Sequence, residues 1–158
     1  MRIGFGYDVH KLEEGRIFTL GGTVIPYHKG AVGHSDADTL IHAICDALLG
    51  AAYLGDIGTH FPDTDQSLKN IDSKIILQKV SAMLAQKGLR IVNIDSTVCL
   101  QEPKIRPYIP TMQAMLAQQM NIPIEDISIK ATTTEGLGFT GRREGVSAYA
   151  IALVRQAH

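Results

Sequence analysis

A two-layer α+β fold, one mixed β-sheet with helices on a single face, is what this sequence predicts, and three observations carry it. Strand-like segments open and close the chain, three helical segments lie between them, and the last strand, GVSAYAIALVRQ (145–156), is apolar on both of its sides. The 158 residues suit a single domain, 1–158, with a core large enough to fold without disulfide or metal staples.

Residues 2–9 and about 16–26 read as strands, the second interrupted by the turn signal Gly21-Gly22. HKGAVGHSDAD (28–38) follows as a Gly-rich loop. Ser35 offers an N-cap with Asp38 three residues on, and Leu40, Ile41, Ile44, Ala47, Leu48 and Ala51 recur at helical spacing, which predicts a helix over 36–53. GDIGTHFPDTDQS (55–67) is polar, broken by Gly and Pro, and long enough to be a functional loop. A second helix is expected over 72–87, with Ile76, Val80 and Leu84 on one stripe and Gly88 as its stop. LRIVNIDSTVCL (89–100) is a strand, and Pro107–Asn121 is a third helix with Pro110 near its first turn. DISIKATTTE (126–135) is a strand that runs into a polar tip. In the closing strand Val146, Ala148, Ala150, Ala152 and Val154 share one side; Tyr149, Ile151 and Leu153 share the other. Three helices cover one face of such a sheet, so the second is buried either by other copies of the chain or within it.

Formal net charge is −1 with 20% charged residues, so no global field recruits nucleic acid or an anionic membrane, and any anion must be held locally. Cys45 and Cys99 sit far apart within apolar runs, which points to buried, reduced thiols and a cytoplasmic protein. The N-terminus has neither a signal-peptide core nor transit-peptide character, no apolar run reaches membrane-spanning length, and the chain is expected to be complete. The phosphate-loop pattern is missing, and GFGYDV (4–9) fails the dinucleotide pattern because Val9 stands at the third glycine.

Asp8 and His10 share one face of the first strand while Val9 takes the other, which makes them half of a metal site or an ordinary pair of strand-end polar residues. His42, in the first turns of the first helix beside its apolar stripe, supplies a third N/O donor, the number a catalytic zinc keeps from protein. Asp46, one turn further on, is placed to orient that ring. His34 and Ser35 stand where the loop enters the helix, a favourable place for an anion. Asp56, Asp63 and Asp65 crowd one loop, as turn formers or as the cover of a site. Thr132, Thr133, Thr134 and Glu135 form a hydroxyl-rich tip whose carboxylate suits a hard cation such as magnesium bridging phosphates. Spacing alone stops at a metal-dependent enzyme acting on phosphates.

The ordered blocks go further: G-x-DVH (6–10), GHSDAD (33–38) with His42 and Asp46, LGDIGTHFPDTD (54–65), QEPK (101–104) and KATTTEGLGFTGRREG (130–145). Together they closely resemble the 2-C-methyl-D-erythritol 2,4-cyclodiphosphate synthases of non-mevalonate isoprenoid biosynthesis, over nearly the whole chain. The resemblance implies zinc or another divalent transition metal on Asp8, His10 and His42, and magnesium or manganese on Glu135. It makes His34 and Thr133 the catalytic residues that position phosphates and stabilise the transition state. Substrate contacts are implied for Asp8, Val9, His10 and Ser35, and ribose contacts for Asp56, Ile57 and Gly58. A loop of Phe61, Pro62, Asp63, Thr64 and Asp65 is implied over the methylerythritol. The cytidine diphosphate pocket would draw on Leu100, Gln101, Glu102, Pro103, Lys104, Ile105 and Arg106 together with Thr132 to Thr134. Leu100 stands where the family often has a smaller residue. The family works as a homotrimer with its sheets packed around the trimer axis and its active sites between subunits, and Phe139 and Arg142 match positions lining a central cavity that can hold an isoprenoid diphosphate. The implied reaction cyclises 4-diphosphocytidyl-2-C-methyl-D-erythritol 2-phosphate with release of CMP. Competing readings are a zinc-dependent phosphohydrolase and a non-catalytic nucleotide or isoprenoid-diphosphate sensor.

Overall fold

The structure, a computed structural model, describes residues 1–157. It opens with strands β1 (Arg2–Glu14), β2 (Phe18–Leu20), β3 (Thr23–Ile25) and β4 (Lys29–Ala31), followed by helices α1 (Thr39–Ala51), α2 (Ile57–His60) and α3 (Ser73–Gln86). Strand β5 (Leu89–Cys99), helix α4 (Ile109–Met120), strand β6 (Ile127–Thr132), helix α5 (Gly138–Gly141) and strand β7 (Gly145–Gln156) complete it. The stretch expected as one strand over 16–26 is a hairpin of β2 and β3 turned at Gly21-Gly22, and the first strand continues five residues past Val9 to Glu14. The third helix is preceded by a separate 3₁₀ turn at Arg106–Tyr108.

The main sheet has the order β4-β1-β7-β5-β6, antiparallel throughout except for the parallel β5–β6 pair, so it is mixed as expected. β1 runs along β7 from Arg2 opposite Val154 to Lys11 opposite Gly145. The pleat then gives β1 two unlike faces. Gly4, Gly6, Asp8, His10 and Leu12 face the helices, whereas Ile3, Phe5, Tyr7 and Val9 point away and stay exposed.

Helix α1 is apolar nearly all round because it is enclosed on two sides, by β1 and β7 on one and by α3 on the other. Burying Leu40, Ile41, Ile44, Leu48 and Leu49 completely contributes about 1.5–3 kcal/mol for each side chain. The helix reaches the sheet by backbone contact: a Cβ at Gly6 would lie 1.9 Å from the Ala43 carbonyl oxygen, and one at Gly4 would lie 1.9 Å from that of Ala47. Glycine on the inward face of β1 is therefore what lets α1 lie so close to the strand.

The helix starts later than expected, at Thr39, and its cap is Asp38 rather than Ser35. Ala37 takes a left-handed conformation that keeps 34–37 out of the helix, and Ser35 closes a local turn by accepting from the Ala37 N–H. Asp38 is fully buried and accepts from the N–H groups of Ile41, Gly21 and Gly22, tying the helix start to the β2–β3 turn. Burial pushes its carboxyl pKa up, and the Gly22 and Ile41 N–H groups pull against that shift.

The described part of the chain does not bury the outer sheet face itself. Ile3 (70% exposed), Phe5 (62%), Tyr149 (41%) and Ile151 (44%) form one apolar surface uncovered by the described part of this chain. On it the Tyr7 and Tyr149 rings lie 5.0 Å apart between centroids. Both thiols are free, but only Cys45 is fully buried; Cys99 on β5 is partly buried, short of the expectation. Among the described residues no helix is long and apolar enough to cross a membrane.

Candidate active site

Three side chains converge at the open edge of the α1–β1 contact. Asp8 and His10 come from the inward face of β1 and His42 from the first turn of α1. Asp8 Oδ2 lies 2.9 Å from His10 Nε2 and 3.1 Å from His42 Nδ1, and the two ring nitrogens are 3.3 Å apart. Each side chain is one-quarter exposed or less, so the group is sheltered yet reachable. Burial favours neutral Asp8, but hydrogen bonds from His10 and His42 outweigh it and hold the carboxyl at about 2. Burial likewise opposes a charged His10, but Asp8 and the Val32 carbonyl raise its pKa above the ordinary histidine value.

The donor set fits a divalent cation. His10 Nδ1 sits 2.8 Å from the Val32 carbonyl, which can only accept, so Nδ1 carries the proton and the Nε2 lone pair faces inward in neutral imidazole. One carboxylate and two imidazoles whose ligand atoms lie within 4.8 Å of one another match zinc-type coordination with a position left over, a cation taking the place of the protons that the rings share with Asp8.

These donors border a cavity of about 460 Å³. Its other walls include His34 and Ser35 from the loop before α1, Ile57 and Gly58 of α2, and Phe61, Pro62 and Asp63 beyond it. The two loops are laced together. The Asn70 N–H donates to the His34 carbonyl, that of Asp36 donates to Ile71, and the His34 ring Nε2 lies 3.2 Å from the Asp65 carbonyl. Asp56 caps α2 from the exposed side by accepting from the Thr59 N–H, and neither it nor Thr64 lines the cavity. Asp46 makes no hydrogen bond to His42. It accepts from the Ile57 N–H at 2.8 Å and so anchors the start of α2.

A second cluster forms elsewhere in the chain. The parallel β5–β6 pairing sets Cys99 opposite Thr132, and the Leu100 N–H donates to the Thr132 carbonyl. Gln101 Oε1 accepts from Gly136 N–H, so residues 100–106 and the tip at 132–136 are neighbours. Thr133 Oγ accepts from the Glu135 N–H, and Glu135 holds a left-handed backbone (φ 54°) that costs a non-glycine residue about 1 kcal/mol or more. Gln101, Pro103, Lys104, Arg106, Thr133 and Thr134 are exposed to some degree, and Glu102 pairs with Arg143 at 2.9 Å. Leu100 and Ile105 are buried, so their side chains belong to the core and only their backbone is available to a ligand. No residue of this cluster lines the 460 Å³ cavity.

Val9 points to the opposite side of the sheet from Asp8 and His10, where it shares a shallow hollow with Lys11, Phe139, Glu144 and Gly145. Arg142 does not line that hollow and is held by Glu144 through contacts of 2.9 and 3.2 Å. Sequence reasoning missed Asp36 and Ser73: Ser73 Oγ lies 2.9 Å from His42 Nε2, and its only sequence signal was Asp72-Ser73 at a helix start, which reads as capping.

Fold and donor set fit the class of enzymes that carry a divalent-metal site on a mixed-sheet α+β scaffold. The YgbB family model matches residues 1–155. A 2-C-methyl-D-erythritol 2,4-cyclodiphosphate synthase of Syntrophomonas wolfei is 56% identical over 157 residues, 99% of this chain and 100% of that protein. The solved structure of a 2C-methyl-D-erythritol-2,4-cyclodiphosphate synthase in its CDP-bound form superposes with a TM-score of 0.90 at 37% identity, covering 98% of this chain and 100% of that one. The bifunctional IspDF from Campylobacter jejuni gives a TM-score of 0.95 at 39% identity, covering 98% of this chain, which spans 42% of that longer protein. The chain belongs to the YgbB family, the 2-C-methyl-D-erythritol 2,4-cyclodiphosphate synthases.

Proposed function

We propose that the chain, acting as one domain over 1–158, converts 4-diphosphocytidyl-2-C-methyl-D-erythritol 2-phosphate to 2-C-methyl-D-erythritol 2,4-cyclodiphosphate and CMP, a phosphorus–oxygen lyase step in isoprenoid precursor formation. The observation that carries this reading is the Asp8/His10/His42 donor set at the wall of a cavity, in a chain of this family. Zinc or another divalent transition metal on that set, with magnesium or manganese on Glu135, would neutralise the diphosphate and make its β-phosphorus more electrophilic.

The protein's part is binding and orientation. The substrate's own 2-phosphate oxygen forms the new bond to the β-phosphorus while the bond to CMP breaks, so no side-chain nucleophile is needed. His34 and Thr133 are proposed to hold phosphate oxygens as charge redistributes. Asp56, Ile57 and Gly58 would meet the ribose, and the Phe61–Asp65 loop would cover the methylerythritol and exclude water, whose attack is the competing loss. The cytidine diphosphate would lie on residues 100–106 and 132–134.

No residue of 100–106 or 132–135 lines the cavity beside the metal donors, and the outer face of the sheet is apolar and exposed. Both features support a homotrimer in which each active site joins the metal half of one copy to the 100–106 and 132–135 half of its neighbour. Phe139 and Arg142 would then surround a central space, where an isoprenoid diphosphate would compete with Glu144 for the guanidinium. The cytoplasm is the proposed compartment.

The test is phosphorus NMR of purified protein with zinc, magnesium and the diphosphocytidyl substrate. Equal amounts of CMP and a cyclic diphosphate are expected. CMP with only a linear product would make this a phosphohydrolase, and substrate bound but unchanged would make it a sensor.

A further inference from the structure

We propose that Ser73, backed by Asp36, is a positioning residue that fixes the His42 ring with Nε2 protonated and Nδ1 open towards the metal. The inference rests on the reading of His42 as a metal ligand and deepens it.

His42 Nε2 has two hydroxyl neighbours, Ser73 Oγ at 2.9 Å and Ser35 Oγ at 3.1 Å. Distance alone leaves the tautomer open, since a hydroxyl can donate or accept. Ser73 removes the ambiguity. Its single hydroxyl hydrogen is committed to the Asp36 carboxylate in a very short contact, and the second oxygen of that carboxylate accepts the Ser73 N–H at 3.1 Å. A carboxylate cannot return a proton, so Ser73 Oγ faces His42 as an acceptor and the ring nitrogen must donate. The proton thus fixed on Nε2 makes Nδ1, 3.1 Å from Asp8 Oδ2 and 3.3 Å from His10 Nε2, the nitrogen that turns a lone pair to a cation in the neutral ring.

The backing is rigid. Ser73 is fully buried at the first position of α3, where Asp72 and not Ser73 caps the helix. Asp36 is fixed through its backbone by donating to the Ile71 carbonyl. The device mirrors the one on His10, whose Nδ1 proton is taken by Val32, so each imidazole is oriented from behind. It also leaves Ser35 free. With Nε2 already a donor, the Ser35 oxygen accepts from the Ala37 N–H, and its own hydrogen stays uncommitted at the wall of the cavity that Ser35 lines.

The test is zinc affinity, by competition with a chromophoric chelator, combined with NMR of the histidine side-chain nitrogens in the zinc-loaded protein. Ser73→Ala is expected to weaken zinc about 10–100-fold and to shift the His42 Nε2–H signal and speed its exchange with water. Asp36→Asn should weaken zinc several-fold, and Ser35→Ala by less than about threefold, because its hydroxyl is not backed by a carboxylate. Zinc affinity of Ser73→Ala within twofold of the unsubstituted chain, or an unmoved Nε2–H signal, would overturn the proposal. If Ser73→Ala does not fold, Asp36→Asn binding zinc like the unsubstituted protein overturns it instead. Failure of the unsubstituted protein to bind zinc at all is a different result, and it removes the metal assignment itself.

Discussion

Replacing Gly6 with alanine places a methyl carbon 1.9 Å from the Ala43 carbonyl oxygen and 2.7 Å from the Ala47 nitrogen. Both are backbone atoms of α1, so no rotamer change can relieve the clash. Cβ atoms essentially never approach closer than 3.0 Å, so helix and strand must separate by at least about 1.1 Å. Overpacking of this kind costs about 1–3 kcal/mol, and more where backbone has to move. The separation also opens the Asp8–His42 contact, because Asp8 lies two residues along β1 and His42 precedes Ala43. Metal ligands tolerate about 0.2 Å, so a shift several times larger should reduce zinc affinity at least tenfold. Urea unfolding and chelator competition on one preparation read both effects. Gly4→Ala is the control: it meets Ala47 at the same 1.9 Å but one turn further from His42, so it should lose similar stability and less zinc affinity. Gly6→Ala with stability within about 0.5 kcal/mol of the parent and unchanged zinc affinity would refute the argument that helix–strand contact sets the ligand geometry.

His42→Ala should abolish zinc binding and turnover while sedimentation shows assembly intact, since the interface proposed above is the exposed apolar face and not the donor set. Ile151→Asp puts a charge at the middle of that face and should abolish assembly, because an unpaired buried charge costs several kcal/mol; a normal sedimentation coefficient would contradict the interface. The metal-free protein should melt higher at pH 6 than at pH 8. Its His10 binds a proton more tightly folded than unfolded, so that stabilisation is complete below about 6.5 and lost as pH rises through the folded value. Zinc-loaded protein should show the reverse trend in a calorimetric scan, because protons compete for Nε2 and Nδ1. Asp8, with its folded pKa at about 2, adds about 2 kcal/mol of stability to the metal-free fold that is present above about pH 4 and lost as pH falls through 2.

The grouping of Asp8, His10 and His42 was legible because strand period is rigid: Asp8 and His10 two apart must share a face, and His42 lies beside the apolar positions of a helical segment. The mixed sheet and the three main helices were legible for the same reason of period. The start of α1 was not, because Ser35 and Asp38 are equally good caps in sequence and only the buried Gly21-Gly22 turn selects Asp38. Asp46 misled because helical spacing puts it near His42, while the Ile57 N–H that claims it is eleven residues away. On β1 the ordinary inference from alternation reverses. Ile3, Phe5, Tyr7 and Val9 are the exposed side, and the glycines face the helix. Ser73 was invisible because its role depends on a contact 31 residues away in sequence.

The separation of the two clusters leads to a sharper test of where the active site lies. If the metal half and the 132–135 half of one site come from different copies, two chains each broken in one half can repair one another. His42→Ala destroys the metal half and Glu135→Gln the other, and each alone should be inactive. Mixed in equal amounts and reassembled at random, a site is whole when its metal half comes from a Glu135→Gln copy and its tip from a His42→Ala copy. Each choice has even odds, so about one site in four is intact and about a quarter of parental turnover should return. A site built within one chain would leave every copy broken and return nothing. The cavity borders none of residues 100–106 or 132–135, which is the geometry that favours recovery over silence.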